Sequence, residues 1–363
     1  MRIIDVQIGK IKVPLKRPFK TALRTAYVIE DIVIKIFSDN GLVGYGSCAH
    51  TPLITGETHG SLIDALLILK EKILHVEFHS LEKILNTLST SFVHNTSALS
   101  CFDIALHDIY CQFLKLPLYQ YLGGDHNIVF SDMTISCNDI TVMIADALCA
   151  IDDGFHELKI KVGLDPANDF ERIFAISKAV GPKIKLRIDA NQGWKPKEAL
   201  RIINQLERHN LNIEFIEQPV HANDLEGLAF IRNNVCTDIL ADESIFSPQD
   251  ALKIVQTKSS DLLNIKLAKA GGLLPATKIY HVAQAAFIEC IVGCMLESPI
   301  AVSAAVHFAA AKKYITRCDL DPPFLIAQNP VECSVSVDGN ALIIDEKVSG
   351  LGIKHVHDFK FIV

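Results

Sequence analysis

Between Ile3 and Gly46 apolar and polar residues alternate with the two-residue period of half-buried strands, in "DVQIGKIKVPL" and "YVIEDIVIKIFS". Asp39-Asn40-Gly41 separates the second run from "LVGYG", and an Asn-Gly turn between such runs predicts an antiparallel hairpin. The period then changes to that of helices in "GSLIDALLILKEKI", "SLEKILNTLSTSF" and "TSALSCFDIALHDIYCQFL". The last is stopped by the Pro and Gly of "LPLYQYLGG". Residues 1–125 therefore read as a small α+β domain.

Beyond them, short apolar strands alternate with helical stretches, the signature of βαβ units and a parallel sheet. The strands are "SDMTISC", "HELKIKV", "IKLRIDA", "IEFIEQP", "DILADES", "DLLNIKLA", "ECIVGCML" and "ITRCDLD". Polar residues close five of them in turn, at 161, 189, 217, 242 and 266, one strand-plus-helix unit apart. The fold class is thus α/β, with residues 126–329 forming a TIM barrel of the (β/α)8 type, whose site belongs at the C-terminal ends of the strands. The tail after Pro330 has a further strand pattern around Asp338-Gly339. Residues 330–363 are expected to return to the first domain.

Composition narrows the chemistry. The 363 residues are 49% hydrophobic and 21% charged, enough for a large core, and the net charge of −7 with no basic run longer than two argues against nucleic acid as a partner. "MRIIDVQIGKIKVPLKRPFK" lacks an apolar stretch followed by a small-residue cleavage site, so a cytoplasmic protein is expected. The most apolar tract, Pro299 to Ala311, is too short to span a membrane and reads as a buried helix. Ten cysteines without a CxxC pair read as buried free thiols, Cys290 and Cys294 included. The Gly44-x-Gly46-x-x-Ala49 run follows a hairpin and opens no helix, so it is not read as a dinucleotide fingerprint.

In "HELKIKVGLD", Lys159 and Lys161 share one strand face while Ile160 and Val162 share the other. The outer face of a barrel meets helices, so both lysines are expected inside, where a cation is costly unless paired. An edge strand with a solvated lysine face is the plain alternative. The following three strands end in Asp189, Glu217 and Asp242. Each alone would serve as a helix cap. Three in succession instead suit a hard cation such as Mg²⁺, with Mn²⁺ as the alternative, and the lack of Cys or His beside them argues against zinc. Lys266 closes the sixth strand, across the ring from Lys161 on the second. A cation on a substrate carboxylate stabilises the enediolate formed when the α-proton leaves. A lysine is a base only when neutral, and the cation and Lys159 are expected to lower the pKa of Lys161 from about 10.4. Lys159 is also expected to touch the substrate carboxylate. One base on each face of a planar intermediate implies racemisation or epimerisation.

The K-x-K pair, the Asp, Glu and Asp of the next three strands and the lysine of the sixth resemble the muconate-lactonizing subgroup of the enolase superfamily. Within it, "PFKTALRTAY", "LITGE", "RIDANQGWKPKEA", "EQPV", "NIKLAKAGG" and "RCDLDPP" are similar to the dipeptide epimerases, those acting on L-Ala-D/L-Glu in particular. The likeness runs over nearly the whole chain. It implies a modified barrel, (β/α)7β, under a capping domain built from the N-terminal segment and the C-terminal tail. It implies Lys161 and Lys266 as paired acid/base residues, and Asp189, Glu217 and Asp242 as holders of Mg²⁺, with no organic cofactor. Asp319 and Asp321, expected on one strand face, would hold the α-ammonium of the dipeptide. Arg24 would fork onto a glutamate side chain. Thr134, Cys294 and Leu296 would line the pocket, with Ile54-Thr55-Gly56 in a second mobile loop. The implied reaction converts L-Ala-L-Glu to L-Ala-D-Glu in murein-peptide breakdown, by a homo-oligomer whose partner is a small molecule and not a membrane. One departure is Ser47, in "GYGS", where such enzymes carry an acid.

An N-acylamino acid racemase, an o-succinylbenzoate synthase or a muconate cycloisomerase would keep the lysines and metal acids but has no use for both Asp319 and Asp321. A Schiff-base aldolase would leave the three carboxylates unexplained. A metal-binding barrel without catalysis would not need both bases.

Overall fold

The computed structural model describes residues 1–20 and 25–363. Strands β1 (Ile3–Lys20), β2 (Thr25–Ser38) and β3 (Val43–Ala49) form an antiparallel sheet, with Gly41 in the turn at φ +83°. Helices His59–Ile73, Leu81–Ser89 and Thr96–Leu114 pack on it, the first two capped by the Thr58 and Ser80 hydroxyls. Helix Thr96–Leu114 lies unusually close to β3. A Cβ on Gly44 would sit 2.3 Å from the Ala105 carbonyl oxygen, and one on Gly46 1.9 Å from that of Cys101. The two glycines therefore serve helix-on-sheet packing.

After the short strand β4 (Ile128–Phe130), eight parallel strands follow: β5 (Met133–Ile135), β6 (Glu157–Lys161), β7 (Lys185–Asp189), β8 (Ile213–Glu217), β9 (Asp238–Ala241), β10 (Leu262–Lys266), β11 (Glu289–Gly293) and β12 (Ile315–Asp319). Each pairs with its sequence neighbour, and a bridge from Ser131 to Cys318 brings the two ends together into a nearly closed barrel. Ile160 and Val162 face outward against helix Asp169–Val180, as the alternation in β6 requires. Phe215, Leu240, Leu262 and Ile291 pack together inside. Below the site Arg187 is held by Asp132 and Glu214, each at 2.7 Å, so its buried charge is paired. Helix Pro299–Ala310 is buried throughout, and among the described residues no helix is long and apolar enough to cross a membrane. Among the described residues the one helix after β12 is the short Pro322–Leu325, in the place of an eighth barrel helix.

The tail divides its pairing. The hairpin β14 (Val335–Asp338) and β15 (Ala341–Ile344) adds to β4, β13 (Val331–Glu332) pairs with β16 (His355–Val356), and β17 (Lys360–Phe361) joins the edge of β1. Buried carboxylates stitch the N-terminal layer to the barrel. Asp31 accepts from the Ser298 N–H at 2.7 Å, and Asp103 from those of Leu273 and Leu274 at 2.6 and 3.2 Å. Ser47 lies in the same seam, its hydroxyl 2.8 Å from that of Ser298.

Candidate active site

A cavity of about 330 Å³ opens at the C-terminal end of the barrel. Lys161, Lys266, Asp242, Asp319 and Asp321 line its polar side, and Phe19 with the segment from His50 to Ile54 lines the side toward the N-terminal layer. The strand register explains the convergence. Lys161 stands beside Asp189 and Asp189 beside Glu217, so three polar ends are level. Glu217 aligns with Leu240, which puts Asp242 two residues beyond the end of that ladder.

The charges interlock. Lys161 Nζ lies 2.5 Å from Asp189 Oδ2, and Lys266 Nζ 2.8 Å from Asp242 Oδ2. Lys159, 1% exposed, has its ammonium 3.0 Å from Asp189, 2.6 Å from Glu217 and 2.7 Å from Asp319. Burial alone would lower the pKa of Lys159, but these carboxylates outweigh it and raise it well above the usual lysine value. Burial likewise pushes Asp189 up, and the Lys159 and Lys161 ammoniums overturn this, bringing it down to about 2. Lys266 and Lys269 hold Asp242 below the usual range against the same burial cost. Glu217 moves the other way. Burial and the neighbouring Asp189 push it up to about 8 despite Lys159.

Asp319 and Asp321 both reach the cavity but not as partners on one strand face. β12 ends at Asp319, and Asp321 adopts helical dihedrals ahead of Pro322 and Pro323, whose fixed φ suits the first turn of a helix. Asp321 accepts from the Thr134 N–H at 3.2 Å, and burial followed by the charge of Asp319 pushes it up to about 6.

Residues 3–123 match the family model "Mandelate racemase / muconate lactonizing enzyme, N-terminal domain", and residues 143–358 match "Enolase C-terminal domain-like". The chain is 45% identical to the L-Ala-D/L-Glu epimerase of Clostridium acetobutylicum, over 99% of this chain and 100% of that one. The chain belongs to the mandelate racemase/muconate-lactonizing family of the enolase superfamily. Its structure is similar to a substrate-liganded complex of the L-Ala-D/L-Glu epimerase from Bacillus subtilis, with TM-score 0.96 and 43% identity over 98% of this chain and 99% of that one. It also resembles the dipeptide epimerase of Enterococcus faecalis complexed with Mg and L-Leu-L-Tyr, with TM-score 0.94 and 41% identity over 98% and 100% of the two chains.

In this enolase-superfamily chain, Thr134, Cys294 and Leu296 line the cavity, as does Ile54. Arg24 lies outside the described residues. Lys159 is not in the described cavity lining; its ammonium sits among three carboxylates, so its buried charge is paired. Among the described residues no group of three or more acids, histidines or cysteines is placed so that it could hold a metal ion by itself. The donor set nonetheless fits a hard divalent cation. Asp189 and Glu217 already share the charge of Lys159, all the donors are oxygens, and Glu217 carries a repulsion that further positive charge would relieve. Four further residues that the strand-end pattern does not single out contribute to the site. Asn191 donates its N–H to Asp189 Oδ1 at 2.8 Å, and its side-chain amide lies 3.2 Å from Glu243. Asn264 donates to Glu217 at 2.9 Å, and Lys269 pairs with Asp242 at 2.5 Å. Each lies within three residues of a residue already singled out, which was the available signal.

Proposed function

We propose that the protein is a dipeptide epimerase that removes and returns the α-proton of the C-terminal residue of an L,L-dipeptide, converting L-Ala-L-Glu to L-Ala-D-Glu. The observation that carries this is the pair Lys161 and Lys266 on one cavity, from strands separated by three others, with the acids Asp189, Glu217 and Asp242 on the strands between them. Those acids would hold Mg²⁺, whose charge on the substrate carboxylate makes the α-proton acidic enough to leave. Lys161 and Lys266 address opposite faces of the α-carbon, one taking the proton and the other returning it. Asp319 and Asp321 pair with the free ammonium and orient the peptide. A substrate with an acylated nitrogen, as for an N-acylamino acid racemase or o-succinylbenzoate synthase, gives that second carboxylate no partner.

One observation favours a second reading of the C-terminal side chain. Phe19, Pro52, Leu53, Ile54, Met295 and Leu296 make much of the described lining apolar, and the described lining contains no arginine. An arginine contact to the side chain, the role expected of Arg24, selects a substrate ending in Glu; the apolar wall by itself fits an apolar residue. Chiral analysis of products from L-Ala-L-Glu, L-Ala-L-Leu and an N-succinyl-L-amino acid with Mg²⁺ separates these. L-Ala-L-Glu is expected to turn over fastest, preference for L-Ala-L-Leu would select the apolar reading, and turnover of the acylated compound alone would overturn the dipeptide reading.

A further inference from the structure

Lys269 stands on the short helix Leu267–Ala270, just beyond β10, and is 1% exposed. Its ammonium does not line the catalytic cavity; it lies behind Asp242. There it donates to Asp242 Oδ1 at 2.5 Å, to the main-chain carbonyl of the same residue, and to the Asn264 carbonyl at 3.3 Å. The ring of Phe246 lies 5.7 Å from the ammonium on another side. Gly271 and Gly272, at φ +93° and +116°, turn the chain sharply away after it. Burying an ammonium costs several kcal/mol, and an apolar side chain of similar length would fill the space without that cost.

We infer that Lys269 is a positioning residue that fixes the Asp242 carboxylate for the divalent cation, an inference that rests on the reading of Asp242 as one of the metal acids. Two bonds to one aspartate, one to its Oδ1 and one to its own carbonyl, lock both the side-chain torsion and the strand end that carries it. Oδ2 is left facing Lys266 at 2.8 Å and the cavity side of the residue. Lys269 thereby does for Asp242 what hydrogen-bonded partners of metal ligands do in general, orienting a first ligand from behind. It acts through Asp242 and touches no substrate.

The test is calorimetric titration of Mg²⁺ into wild type, K269M and K269Q, alongside thermal unfolding and steady-state kinetics at increasing Mg²⁺. K269M is expected to weaken Mg²⁺ binding by about ten- to a hundredfold. K269Q, which keeps a donor without the charge, should fall between. Raising Mg²⁺ should restore most of kcat in both, because neither base is altered. Wild-type Mg²⁺ affinity in a folded K269M would overturn the inference, as would failure of both variants to fold, which would make the ammonium a folding residue. A wild-type protein that binds no Mg²⁺ would instead overturn the metal reading beneath it.

Discussion

At the scale of single residues, the site is a set of buried carboxylates kept ionised by lysines, and Glu217 is the member least well served. Its carboxyl is pushed up to about 8 by burial and by Asp189, whereas a group holding a cation must be deprotonated. If Glu217 is one of the acids that hold Mg²⁺, as proposed, the metal-free site carries a proton below pH 8 that Mg²⁺ would have to displace. Apparent Mg²⁺ affinity is expected to rise about tenfold per pH unit from pH 6 toward 8 and then level, with about one proton released near pH 7. Calorimetry in buffers of different ionisation enthalpy measures both; a flat profile with no proton release would contradict the elevated Glu217. The residue types at the strand ends were legible because each is an acid or lysine closing an apolar run. The position of Lys159 was not. Alternation says only that it points inward, and which neighbour takes its ammonium depends on three other strands.

At the scale of elements, the strand that ends in Gly44 to Ala49 and the helix Thr96–Leu114 depend on each other through backbone contact. Replacing Gly46 by Ala would force a methyl into the Cys101 carbonyl, where the gap is 1.9 Å. Such overpacking costs about 1–3 kcal/mol or more. G46A should lower the thermal midpoint by several degrees, while G41A, in a turn with nothing within 4 Å of the added carbon, loses stability through its positive φ alone. Equal stability of G46A and wild type would contradict the close packing. All eight barrel strands and the three long N-terminal helices follow from periodicity, which is a local property. The end of β12 does not: "RCDLD" alternates like a strand, yet two prolines after Asp321 favour a helical turn and take that residue out of register. The pairing of β14 and β15 with β4, rather than with the N-terminal sheet, was equally invisible, since nothing in a strand's own pattern names its partner.

At the scale of the whole molecule, buried polar groups join segments distant in the chain. Asp103 reaches Leu273 across 170 residues, a contact that only the folded structure reveals. His307 does the same: its Nδ1 accepts from the Tyr119 N–H at 3.1 Å, and its Nε2 lies 3.2 Å from the Ser334 hydroxyl. Complete burial lowers its pKa from 6.5 to about 3. Between those values the unfolded chain binds a proton at this position that the folded protein refuses. Stability contributed by the neutral ring is therefore complete above pH 6.5 and lost as pH falls toward 3. H307Q should flatten the dependence of unfolding free energy on pH between about 6 and 4, by up to about 1.4 kcal/mol per unit. Denaturant melts at several pH values provide the comparison, and parallel curves for variant and wild type would contradict the assignment.

Two opposed bases on one α-carbon are tested most directly by proton exchange in D₂O. The α-proton of the glutamyl residue is followed by NMR with Mg²⁺, starting separately from L-Ala-L-Glu and L-Ala-D-Glu, for wild type, K161A and K266A. Wild type is expected to exchange and epimerise from either side. Each single variant should lose epimerisation yet still exchange the proton of one epimer, and the surviving epimer should be opposite in the two variants. Epimerisation that persists in either variant, or the same surviving epimer in both, would contradict a lysine on each face.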